Sequence, residues 1–309
     1  MKHLITLDDW SRDEIMGILD LADSVKRDPA HYADALERKF LLMIFEKPSL
    51  RTRISFETGM VQLGGHAIYF DMSTMPLGRG KETVYDTIKV AGRYVDLIMA
   101  RLFNHAVLEE MGAAADVPVI NALTDRAHPC QVLADLQTIR EVKGRLAGIR
   151  LAYLGDADNN MTYSLLAGGA KSGMRLHIGC PPDAKYAPEE AIVTACRTVA
   201  RENGGAIAVS HDPVEAIRDA DVVYTDSWMS YHIPPEELDE RVRAFKPYQV
   251  NHELMRHAKP DAIFMNCLPA MRGYEQTADV IDGPQSVVFD QAENRLHAQK
   301  AAMISLLDS

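Results

Sequence analysis

Residues 40–57 read FLLMIFEKPSLRTRISFE, and this stretch decides the fold class. Phe40 to Phe45 is an unbroken apolar run, as a strand covered on both faces requires. It stops at Glu46, Lys47 and Pro48, and the polar residues that follow open a helix, so the unit is strand, loop, helix. The same alternation returns at His66–Phe70, Leu97–Ala100 and Val117–Ile120, which predicts parallel strands joined by crossover helices. Upstream, Ser11 with Glu14 reads as a capping box, and Ile15, Ile18, Leu19 and Ala22 then recur at helical spacing. Downstream, the composition turns polar and glycine-bearing near Glu141–Gly148. The pattern then resumes at Arg150–Leu154, Arg175–Ile178, Ala206–Val209, Val222–Tyr224 and Ala262–Met265. The expectation is an α/β protein of two doubly wound domains with parallel sheets and an active site in the cleft between them. The first spans residues 1–142 and the second 143–290. A C-terminal helix at 291–309, helical in pattern from Ala292 to Leu307, is expected to pack back on the first.

A chain of 309 residues fits two domains of about 150 each. Hydrophobic residues at 47% and charged residues at 25% predict a sizeable core rather than disorder. A formal net charge of −11 argues against a nucleic-acid surface while permitting a local basic pocket for a small anion. Cys130, Cys180, Cys196 and Cys267 lack CxxC spacing and the first residues lack an apolar leader, so a cytoplasmic protein with reduced thiols is expected. No apolar run approaches the roughly 20 residues of a membrane span. No solenoid-period repeat or low-complexity tract is evident.

In open α/β sheets, ligands sit beyond the carboxyl ends of the strands, so the polar residues there are the candidates. Ser49, Arg51, Thr52 and Arg53 at a helix start offer backbone N–H groups, hydroxyls and guanidiniums to an anion; the plainer alternative is arginines paired with surface carboxylates. Arg101 closes the run ending at Ala100, and HPCQ at His128–Gln131 supplies an imidazole and a carboxamide suited to a carbonyl and an amide. A lone histidine beside proline is more often structural. GDADNN, Gly155–Asn160, occupies the place of a dinucleotide loop but lacks GxGxxG spacing, which disfavours a nucleotide. Asn160 suits an amino acid's polar groups, or simply caps the helix. Asp226, in TDSWMS, can pair with an ammonium. Cys267, in NCLP, can line a reacting centre, against the default of an inert buried thiol.

Taken in order, these segments resemble the ornithine carbamoyltransferase family, within the wider aspartate and ornithine carbamoyltransferase superfamily, over nearly the whole chain to VVFDQAENRLHAQKAAM. The resemblance implies that the family's STRTR phosphate motif falls on Ser49, Leu50, Arg51, Thr52 and Arg53. It implies that Arg101, His128, Gln131, Cys267, Leu268 and Arg295 complete a carbamoyl phosphate site, with Arg51, His128, Cys267 and Arg101 as the catalytic set. Asn160, Asp226, Ser230 and Tyr231 fall on ornithine-binding positions. HPCQ and CLP differ from the HPTQ and HPLP of aspartate carbamoyltransferases, and GDADNN differs from the loop of knotted N-acylornithine enzymes. Three departures stand out: Leu50 within STRTR, Asn266 in place of the histidine usual before CLP, and Tyr231–His232 where the family's SMG loop has methionine and glycine.

The implied activity is carbamoyl transfer from carbamoyl phosphate to L-ornithine, giving L-citrulline and phosphate in arginine biosynthesis, with no metal or organic cofactor. The family implies homotrimers or multiples of trimers, with a loop near Ser73–Gly80 reaching a neighbouring site. Two alternatives remain open: another amine acceptor, such as putrescine, lysine or a modified ornithine, or a non-catalytic binding homologue. Asn266 is expected to matter little because Cys267 is kept.

Overall fold

A computed structural model describes residues 1–74, 81–230 and 233–308. The chain divides into two compact units, Met1–Gln137 with Glu293–Ser309, and Thr138–Ala292. Both are α/β units built on parallel sheets, which bears out the fold class read from the sequence.

In the first unit, α1 (Arg12–Arg27) precedes β1 (Phe40–Phe45), α2 (Leu50–Gln62), β2 (His66–Asp71), α3 (Val84–Ala91), β3 (Leu97–Arg101), α4 (His105–Ala114) and β4 (Val119–Leu123). The capping box at Ser11 and Glu14 forms as expected, and α1 buries Ile15, Ile18, Leu19, Ala22 and Val25 on one face. The sheet order is β2-β1-β3-β4, all parallel. β4 starts two residues later than predicted. The N-terminal segment lies beside it, with Leu4 N–H donating to Val119 O and Asn121 N–H donating to Leu4 O. The core collects Leu42, Ile44, Ile98 and Ala100 from the sheet with Ile88, Leu108 and Met111 from α3 and α4.

α5 (Pro129–Lys143) carries the chain onward to β5 (Arg150–Leu154), α6 (Asn160–Lys171), β6 (Arg175–Gly179), α7 (Glu190–Glu202), β7 (Ala206–Ser210), α8 (Pro213–Ile217), β8 (Val222–Thr225), α9 (Leu238–Phe245), α10 (His252–Met255), β9 (Ile263–Met265), α11 (Ala278–Ile281) and α12 (Val288–Leu307). The second sheet runs β7-β6-β5-β8-β9, again all parallel. Val223, Phe264, Ala152 and Leu154 pack with Ile217, Leu254, Val280 and Ile281. A smaller aromatic cluster joins Tyr186, Trp228 and Phe245. Among the described residues no helix is long and apolar enough to cross a membrane.

Both strand orders reverse direction once: between β1 and β3 in the first unit, and between β5 and β8 in the second. The chain leaves the central strand toward one side and later returns to the other, opening a crevice at the carboxyl ends. Ser49 and Arg101 follow β1 and close β3, while Gly155–Asn160 and Asp226 follow β5 and β8. The fold thus gathers candidates from distant sequence at two switch points.

Candidate active site

In the first unit, Ser49 is the N-cap of α2. Its Oγ accepts from Thr52 N–H at 3.3 Å and donates to Thr52 Oγ1 at 3.1 Å. Capping fixes where the helix begins and therefore where its first N–H groups and the positive end of its dipole point. Leu50 is 73% exposed, so only its backbone can serve such a site. Arg53 does not join it. Its Nε donates to Glu57 Oε1 at 3.0 Å and its guanidinium lies 3.9 Å over the Tyr69 ring, so of the two guanidiniums read as anion ligands this one takes the surface-pair alternative.

Arg295, on α12, donates from Nη1 to Gln131 Oε1 at 2.7 Å and from Nη2 to Thr52 Oγ1 at 3.4 Å. The amide of Gln131 in turn donates from Nε2 to Asp135 Oδ1 at 2.9 Å. Residues from α2, α5 and α12 are thereby locked into one hydrogen-bonded group, all buried. His128 is buried beside it, just ahead of α5, with its carbonyl accepting from the N–H groups of Gln131 and Val132. Burial pushes its pKa well below 6.5, and the charges of Arg295, Arg101, Lys47 and Arg51 push it further. Burial among these cations disfavours the protonated form, and a neutral imidazole still offers one N–H to an oxyanion.

Lys47 was passed over in the sequence reading. It is buried, its ammonium sits 4.4 Å over the Phe103 ring, and burial, followed by the charge of Arg101, lowers its pKa to about 8. Its position directly after β1 was the available signal.

In the second unit, the Cys267 thiol donates to Asp226 Oδ1 at 3.0 Å, and Ser227 N–H donates to the same oxygen at 2.7 Å. The sequence proposed both residues from loops 41 positions apart, and the fold brings them into contact. Asp226 is buried, and that burial raises its pKa. Leu268 follows at φ 55°, a left-handed conformation costly for a branched side chain. Asn266 holds it there, with Oδ1 accepting from Leu268 N–H at 2.8 Å and Nδ2 donating to Gln276 at 3.2 Å. Asn266 thus braces the backbone of the Cys267–Leu268 loop.

At the β5 switch point, Gly155 at φ 132° turns the chain where a side chain would be strained. The helix cap is Asn159, accepting from Thr162 N–H at 2.9 Å, while its amide donates to Asp156 O at 2.7 Å. Asn160 is the first helical residue and half-buried, so the capping alternative belongs to its neighbour. Ser230 is half-buried. Tyr231 and His232 lie outside the described residues. The carboxylate of Asp156 pairs with Arg241 of α9, another residue the sequence did not signal. Among the described residues no cluster of three or more His, Cys, Asp or Glu could hold a metal ion.

Residues 2–141 match the carbamoyl-P binding domain of aspartate/ornithine carbamoyltransferase, and residues 147–306 match its Asp/Orn binding domain. An ornithine carbamoyltransferase of Anoxybacillus flavithermus is 51% identical over 308 residues, covering 99% of this chain and 96% of the relative. One from Thermococcus kodakarensis is 50% identical over 304 residues, covering 98% and 95%. The solved structure of ornithine carbamoyltransferase from Pyrococcus furiosus superposes with a TM-score of 0.95 at 47% identity, covering 100% of this chain and 97% of that one. Two matched domains, in the order in which the two groups of site residues occur, establish that the chain belongs to the aspartate/ornithine carbamoyltransferase family.

Proposed function

We propose that this chain transfers the carbamoyl group of carbamoyl phosphate to the side-chain amine of L-ornithine, releasing L-citrulline and phosphate, a step of arginine biosynthesis. The observation that carries the reading is the buried group in which Arg295 binds Gln131 and Thr52 beside the capped start of α2, with His128 next to it. A dianionic phosphate is suited to the cations and helix N–H groups, and a carbamoyl oxygen that becomes an oxyanion is suited to the side-chain N–H donors of His128 and Arg295. Ser49, the Leu50 backbone, Arg51, Thr52 and Arg101 take the phosphate in this reading. His128, Gln131 and Arg295 take the carbamoyl group, and the resemblance adds Cys267 and Leu268 to its ligands.

The acceptor reading is supported by the names of relatives near 50% identity over the full chain and by Asp226 beside Cys267. Asn160, Asp226 and Ser230, with Tyr231, orient ornithine. Its side-chain amine attacks only as the neutral species. The nitrogen lone pair forms the C–N bond, the tetrahedral oxyanion collapses, the bond between the carbonyl carbon and the bridging phosphate oxygen breaks, and phosphate leaves with the proton the amine gives up. Cys267 contributes a polar contact rather than a covalent intermediate. The residues named require no metal or organic cofactor for these steps.

The reading extends to a homotrimer. Edge strand β2 exposes Ile68 (39%) and Phe70 (38%), and α2 exposes Ile54 (53%), in the first unit. An open sheet edge with apolar side chains is covered most simply by another copy. The Ser73–Gly80 loop proposed to reach the neighbouring site lies, from residue 75 on, outside the described residues. The reading takes the enzyme to be cytoplasmic and to act on small molecules rather than nucleic acid, which a formal net charge of −11 disfavours.

The test is citrulline formation from carbamoyl phosphate and L-ornithine, with putrescine and lysine in parallel and Arg51→Ala as control. Turnover of ornithine that depends on Arg51 is expected. Turnover of another amine alone would move the acceptor assignment, and no turnover with any amine would leave a binding protein.

A further inference from the structure

Trp228, two residues beyond Asp226, is held through its main chain from both sides. Its N–H donates to Glu275 Oε1 at 3.1 Å, and its carbonyl accepts from Arg241 Nε at 2.6 Å. The second oxygen of Glu275 accepts from Met271 N–H at 2.9 Å. One carboxylate therefore ties the segment carrying Asp226 to the segment that follows Cys267. Glu275 is 1% exposed. Burying a carboxylate is expensive, and a loop that needed one acceptor would be served by an amide at lower cost. Here both oxygens are engaged, each by an N–H from a different loop, and only a carboxylate offers an acceptor at each end.

We infer that Glu275 is a positioning residue for the acceptor amino acid, a clasp whose two oxygens set the spacing of the Asp226 and Cys267 loops. This rests on the reading of Asp226 as an ornithine ligand and of Cys267 as a group beside the reacting amine. Glu275 touches neither substrate in this role. It acts through Trp228 and Met271, and Arg241 supports the same turn by taking the Trp228 carbonyl while its guanidinium pairs with Asp156. Three loops of the second unit, those at Gly155–Asn160, Asp226–Ser230 and Cys267–Met271, are braced around one tryptophan.

The test compares full-length wild type with Glu275→Gln. The amide must turn its NH₂ toward one of the two N–H groups, which releases that loop. The KM for ornithine is expected to rise about tenfold, the effect of losing one hydrogen bond to a charged group, with a smaller change in the affinity for carbamoyl phosphate, measured by calorimetry, because its phosphate ligands all lie in the first unit. An unchanged ornithine KM, or a change confined to the yield of active protein, overturns the inference. Amide exchange on the wild type stands independently of that variant's folding: slow exchange at both Trp228 and Met271 supports the clasp, and fast exchange at either overturns it. If wild type forms no citrulline, the functional reading falls, and the exchange data still decide the clasp.

Discussion

Arg295 Nη1 and Gln131 Oε1 stand 2.7 Å apart across 164 positions of sequence. The C-terminal helix thus closes the anion-binding group begun by α2 and α5. Arg295→Ala would leave Gln131 and Thr52 without that guanidinium and remove a cation from beside His128. The expected result is a drop of about 10- to 100-fold in kcat/KM for carbamoyl phosphate, the range for a buried charge-assisted hydrogen bond. Steady-state kinetics at saturating ornithine measure it. A near-wild-type value would remove Arg295 from the site.

His128 offers a check through stability. Its folded pKa is driven well below 6.5 by burial and then by four cations, so below about pH 6.5 the unfolded chain binds a proton that the native chain does not. Native stability is therefore lost as pH falls below that point, by up to about 1.4 kcal/mol per pH unit, until the folded pKa is reached. His128→Gln removes this contribution. Urea unfolding of both proteins from about pH 7.5 to about pH 5.5 should show wild type losing more stability than the variant. Parallel slopes would mean that His128 is charged in the native protein.

Arg241 and Asp156 form a buried pair, and although Arg241 holds the carboxylate down, burial still leaves the pKa of Asp156 at about 6. Arg241→Met strands that carboxylate and should cost about 3–5 kcal/mol in denaturant unfolding. Adding Asp156→Asn removes the stranded charge and should recover part of the loss. A double variant no more stable than Arg241→Met would show that the packing of Arg241 against Tyr186 and Phe245 matters more than its charge.

Cys267→Ser keeps a donor to Asp226, whereas Cys267→Ala removes it. The serine variant should retain ornithine turnover within about tenfold, and the alanine variant should lose about 10- to 100-fold in kcat/KM for ornithine. Equal, near-total loss in both would point to covalent chemistry at sulfur instead.

The exposed edge of the first unit predicts the assembly state. Phe70→Glu combined with Ile68→Asp places charges on β2 where apolar side chains now face outward. Sedimentation should show three chains for wild type and one for the variant. A monomeric wild type would end the trimer proposal.

The legible parts of the fold were those whose signal is local. FLLMIF became β1 over Phe40–Phe45, and Arg150–Leu154 became β5, because a strand buried on both faces is a continuous apolar run. Serine with glutamate three residues on at Ser11 and Glu14 was enough to place a cap. Ends defined by tertiary contact were read less well: α12 begins at Val288 rather than Ala292, where Val288 packs into the second unit's core. The same division runs through the site. Ser49, Arg101, His128, Asp226 and Cys267 stand out as candidates in the sequence because they close or follow strands. Arg295 came only by resemblance, since nothing local marks which charge on a long helix turns inward. Glu275 and Arg241 gave no signal, because their partners are backbone groups 47 and 13 residues away.

The two switch points divide each sheet into ends with different freedom to vary. At the carboxyl ends lie the groups proposed to meet ligands. At the opposite end of the second sheet, Asp221 accepts from Arg150 N–H at 2.9 Å and pairs with Lys259 at 2.6 Å, stitching β5 to the approach to β9. If the proposed acceptor loops at Asn160 and at Asp226–Ser230 hold the amine, changes of acceptor can be written there while this stitching keeps the strands in place. For an engineer seeking a carbamoyltransferase for a new amine, diversity belongs in those loops, and Asp221 and Lys259 belong among the residues left fixed.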